Sequence, residues 1–156
     1  MLINKKRIKI GFVECLNVLL SMFFLIGVNC WFSACGPKSD GSYMTCHYAE
    51  QTVVALSAVL FAVSVVHVVL PDLKVKIGMD LVIVPLCAVT AAVPGTLVKL
   101  CAYDAMICNS KMKPAVLAFS LVILALSMLD IALCLLANGR ENKKAKLKAK
   151  IEEMDK

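Results

Sequence analysis

The chain has 156 residues, 60% of them hydrophobic and 18% charged, with a net charge of +6 and a mean hydropathy of +0.82. Soluble domains carry far less apolar surface, and here the excess lies in four runs long enough to cross a bilayer, which excludes a water-soluble globular fold. The positive charge sits in tails and a turn flanking those runs, so it speaks of topology and anionic headgroups rather than of nucleic acid.

In chain order, residues 1–10 form a basic tail, 11–137 a transmembrane domain and 138–156 a second basic tail. The predicted helices run over about 11–33, 52–70, 78–100 and 114–137, lengths that at about 1.5 Å per residue match a hydrocarbon core of about 30 Å. The first run exceeds the usual signal-peptide core of about 7 to 15 residues and lacks a small-residue cleavage site, so it is expected to remain as a helix. It ends at Trp31, an interfacial residue type, and at Gly36-Pro37. The second run carries His67 just before Pro71. The third carries Asp80, Pro85 and Pro94-Gly95, which predicts a kinked or locally unwound outer half. The fourth follows Pro114, carries Asp130, and is expected to stop at Asn138-Gly139.

The cations fall unevenly. Lys5, Lys6, Arg7 and Lys9, then Lys74 and Lys76, then Arg140 with the lysine row to Lys156 share one side, whereas Lys38, Lys99, Lys111 and Lys113 are the only cations on the other. The positive-inside bias therefore predicts a multi-pass protein of the cell membrane with both termini cytoplasmic and the two intervening loops outside. Those loops hold Cys35 and Cys46, and Cys101 and Cys108. Outside, disulfides persist, and although three connectivities are possible, the short spacings favour closure of each loop on itself, as Cys35 with Cys46 and Cys101 with Cys108. The fold expected is thus all-α and membrane-spanning: two helix hairpins in a four-helix bundle with two short disulfide-closed extracytoplasmic loops. Cys15, Cys87 and Cys134 read as small packing residues within helices, and Cys30 as a buried free thiol.

Ionisable groups inside a membrane are costly, so Glu14, His67, Asp80 and Asp130 stand out. Glu14, His67 and Asp80 lie close enough to the helix ends that each is expected to reach water by itself. Asp130 is deeper and wants a partner such as His67.

The segment Cys35…Met44-x-Cys46-His47 and the segment Cys101-x4-Met106-x-Cys108-x5-Pro114, with Asn109 where the first has His47, resemble an uncharacterised family of small bacterial four-helix membrane proteins, catalogued as a domain of unknown function. The resemblance covers nearly the whole chain. It implies the fold and topology, points to efflux-type transporter permeases as company, and implies no activity.

Three functional readings follow. The favoured one is a non-catalytic integral membrane subunit that docks a larger membrane complex, a transporter permease for example, through its helices, its outer loops and the aromatics Trp31, Tyr43, Tyr48 and Tyr103. Its partners are membrane lipid and another integral membrane protein or a second copy, with no cofactor. The second is a quinone-linked thiol-disulfide oxidoreductase, whose layout fits but whose usual Cys-x-x-Cys pair is missing. The third is handling of Cu(I) or haem, in which Met44, Cys46 and His47 with Met106 and Cys108 offer soft donors. Bridged cysteines cannot be thiolate ligands, so the third reading and the two disulfides exclude one another. His47 is expected to hydrogen-bond near the start of the second helix, with Glu50 one turn on. No hydrolase or phosphate-binding motif is present.

Overall fold

The computed structural model describes residues 2–36, 41–101 and 106–154. Four helices follow in chain order: α1 (Leu2–Cys30), α2 (Thr45–Val69), α3 (Leu73–Ala92) and α4 (Lys113–Met154). Each contains a stretch long and apolar enough to span a membrane. α1 packs on α2 and α4, and α3 on α2 and α4, so neighbours in sequence are neighbours in space and the last helix closes the ring against the first. Among the described residues the only β feature is an isolated bridge between Pro94 and Val98.

A seven-residue rhythm explains why these helices form a bundle. In α2 the buried positions are Cys46, Ala49, Val53, Ser57, Leu60, Ser64 and His67, spaced by steps of three and four. α3 repeats the rhythm with Asp80, Ile83, Cys87 and Thr90, and α4 with Val116, Ser120, Ile123, Ser127, Asp130 and Cys134. Such spacing presents one stripe per helix to its neighbours, as in left-handed bundles. The stripe is mostly small or polar, while large apolar residues such as Leu81, Val82, Leu121 and Leu135 face outward. This suits a membrane, where lipid solvates apolar side chains and close backbone approach over small residues supplies the packing. The hydroxyls of Ser21, Ser57, Ser64 and Thr90 donate to carbonyls three or four residues back on their own helices, so they are buried without loss. Phe24 stacks on Phe119 with ring centroids 5.4 Å apart and locks α1 to α4.

Helix ends depart from the predicted ones for local reasons. α1 begins in the basic tail and α2 begins at Thr45, because polar helix formers carry a helix beyond its apolar stretch. α2 yields to Pro71, and Asp72 caps α3 by accepting from the Lys74 N–H at 3.1 Å. α3 keeps Pro85 inside it and stops at Ala92, so the expected continuation to residue 100 is replaced by a tight turn. There the Leu97 and Val98 N–H groups donate to the Ala92 and Val93 carbonyls, and Gly95 takes φ +97°. α4 does not stop at Asn138-Gly139: it runs on to Met154, since one glycine costs a helix only about 1 kcal/mol and the following Ala, Lys and Glu residues favour it.

Candidate metal centre

One end of the bundle gathers sulfur. Cys35 lies in the segment after α1, Cys46 in the first turn of α2, Cys101 beyond the Ala92–Val98 turn, and Cys108 opens a five-residue π-helical segment, Cys108–Met112, that flows into α4. Their four sulfurs all lie within 4.8 Å of one another. The Cys101 Sγ is 3.6 Å from that of Cys46 and 3.8 Å from the Met44 Sδ. Cys46 and Cys108 are fully buried, and Cys35 and Cys101 half-buried.

All eight cysteines are free thiols in this structure, which does not show the expected pairings Cys35 with Cys46 and Cys101 with Cys108. The two loops meet over the same end of the bundle. The Cys46–Cys101 contact crosses between the loops, and all four sulfurs share one locus instead of dividing into two. Secondary contacts hold this arrangement. The Asn109 side-chain amide donates to the Cys101 carbonyl at 2.8 Å, and the Met106 carbonyl accepts from the Asn109 and Ser110 N–H groups. π-Helical insertions widen a helix locally and occur often at functional sites; here one aims Cys108 inward.

The neighbouring candidates separate. Met44 stands at the thiol site, whereas His47 stacks on Tyr43 at 4.2 Å, approaches Glu50 through Nδ1 at 3.7 Å and meets Gln51 through Nε2 at 3.1 Å. Both ring nitrogens are thereby engaged on α2. Burial pushes the Cys35 and Cys101 thiols above the ordinary thiol range, and for Cys101 hydrogen bonds to Cys108 and Cys46 act in the same direction. Four sulfurs around one tetrahedral ion, at about 2.3 Å each, lie about 3.8 Å apart. The site is therefore close to that geometry and needs only a small inward movement.

The other end of the bundle gathers charge. His67 Nε2 lies 3.4 Å from Asp80 Oδ2 and 3.7 Å from Asp130 Oδ2, and Lys76 donates to Glu14 at 2.6 Å. Asp130 has the partner expected for it. Glu14, His67 and Asp80, however, do not reach water singly: all are buried, Asp80 completely. They sit on the inward stripes of their helices, which overrides nearness to a helix end. Two polar partners escaped sequence reasoning. Asn17 donates to Ser127 at 3.2 Å between α1 and α4, and Lys76, which had been counted only as a topological charge, turns inward. Their signal was the repeat itself, because Glu14, Asn17 and Ser21 fall three and four residues apart.

A family model for a domain of unknown function, DUF4418, matches residues 17–133. The chain belongs to that family. The DUF4418 match takes in all four clustered cysteines together with His67, Asp80 and Asp130, and stops short of Glu14. No curated protein and no solved structure matches the chain.

Proposed function

We propose that this protein is a membrane-embedded holder of a single thiophilic metal ion, Zn²⁺ or Cu⁺, bound by Cys35, Cys46, Cys101 and Cys108. The observation that carries the reading is the mutual approach of the four sulfurs within 4.8 Å, contributed by four separate segments of chain. Soft thiolates select these ions, and the Met44 thioether beside Cys101 adds a donor suited to Cu⁺. The uneven distribution of lysine and arginine supports placing the thiol end outside the cell membrane and the termini inside. On that side bare thiols 3.6 Å apart are prone to oxidation, and a bound ion protects them.

The test is metal analysis of the full chain purified in detergent under reducing conditions, together with intact mass without reduction. The expected result is one ion per chain, lost in Cys46→Ser and Cys101→Ser, with four thiols alkylated after chelation. Two disulfides and no ion in the freshly isolated protein would overturn the metal reading and move thiol-disulfide exchange ahead of it.

Docking onto a larger membrane complex, a transporter permease for example, is a compatible second reading. It is favoured by the exposed aromatics Trp31, Tyr43 and Tyr48 near the thiol end; Tyr103 lies outside the described residues. Photocrosslinking from position 43 or 48 in whole membranes tests it, and a protein that crosslinks only to lipid refutes it.

A further inference from the structure

The polar cluster at the opposite end is a second site with a different chemistry. His67 Nε2 points between two carboxylates, yet it has no hydrogen-bond partner, nor does either oxygen of Asp80 or the Oδ1 of Asp130. These atoms are almost completely shielded, with residue exposures of 2%, 0% and 2%. Groups so placed carry a large cost unless something compensates them.

Charge and distance indicate the compensation. Three carboxyl groups, Glu14, Asp80 and Asp130, surround one imidazole and the single Lys76 ammonium, so the cluster holds more acidic than basic groups. Donors that share one first-row ion, each about 2.1 Å from it, lie about 3.0 to 3.4 Å apart. The His67 separations of 3.4 and 3.7 Å come near that range. One ligand atom each from Glu14, His67 and Asp130 lies within 4.8 Å of the others, and Asp80 stands beside them through His67. A groove of about 320 Å³, lined by Gly11, Glu14, Leu70, Pro71 and Lys76 among others, opens at this end and reaches the Glu14–Lys76 pair.

We propose that Glu14, once it leaves Lys76, His67 and Asp130 bind one divalent first-row transition cation inside the bundle, with Asp80 beside His67 as a fourth ligand. One imidazole among carboxylates suits Mn²⁺, Fe²⁺ or Zn²⁺ and is unlike the sulfur site at the other end. Lys76 occupies Glu14 in the ion-free state and competes with the cation for it.

Mn²⁺ is the probe, because it favours oxygen and nitrogen over thiolate, and its paramagnetic resonance signal distinguishes free from bound ion. The full chain in detergent is expected to bind one Mn²⁺. Asp80→Asn and Asp130→Asn each weaken binding at least about tenfold, and Leu121→Ala, on the outward face of α4, leaves it unchanged. Lys76→Met tightens binding several-fold, a gain that a misfolded variant would not produce. Absence of binding at about 1 mM Mn²⁺, equal binding in the Asp80 and Asp130 variants, or no gain in Lys76→Met would overturn the proposal.

Discussion

Metal affinity measured against pH probes the chemistry of the thiol site most directly. Burial raises the Cys35 and Cys101 thiols above their ordinary value, so both carry protons at neutral pH. An ion bound by thiolates must displace those protons. Protons therefore compete with metal: affinity falls as pH falls, and it stops rising only above the raised thiol values. Displacing at least two protons makes the affinity change at least about 100-fold, or about 2.7 kcal/mol, per pH unit between about pH 6 and 8. The assay is competition against a metallochromic chelator in detergent, corrected for protonation of the chelator. Cys35→Ser removes one of the displaced protons and lowers the slope by about tenfold per unit, whatever it does to absolute affinity. A wild-type slope below tenfold per unit, or a slope unchanged in Cys35→Ser, would refute the reasoning.

His47→Ala is expected to leave metal stoichiometry and affinity within about threefold of wild type, because the ring faces Tyr43, Glu50 and Gln51; a large loss measured by the same competition would make it a ligand. Gly95→Ala forces a side chain into φ +97° and should destabilise the protein by about 1 to 2 kcal/mol, read as earlier unfolding in detergent. Its metal affinity falls with it, because that turn delivers Cys101. Asp130→Asn removes a buried charge that lacks full compensation, and in the presence of chelator it should raise stability by about 1 to 3 kcal/mol; equal or lower stability would mean that His67 and Lys76 already balance the cluster.

The four spans were legible because hydropathy is local: each apolar run declares itself without reference to the others. The meeting of Cys35, Cys46, Cys101 and Cys108 was not, because it depends on how α1 and α2 dock against α3 and α4. Loop spacing alone favours closure within each loop. The acidic end shows the same division. Glu14, His67, Asp80 and Asp130 could be picked out singly, but distance from a helix end says nothing about which face a residue occupies. The register that turns them inward was present in the steps of three and four linking Ser57, Ser64 and His67 in α2, and Ser120, Ser127 and Asp130 in α4. Reading small polar residues as the inner face and leucines as the outer one inverts the pattern of soluble helices, which is why the stripe is easily passed over.

α4 extends over 42 residues, about 63 Å of unbroken rod, roughly twice the depth of a bilayer core. It starts beside Cys108, carries Asp130 midway and leaves the bundle as a stiff cationic arm. A force or twist applied to that arm by anything that grips it is transmitted along a single axle to both ligand sets. Cys108 and Asp130 are thereby carried on the same axle as the arm.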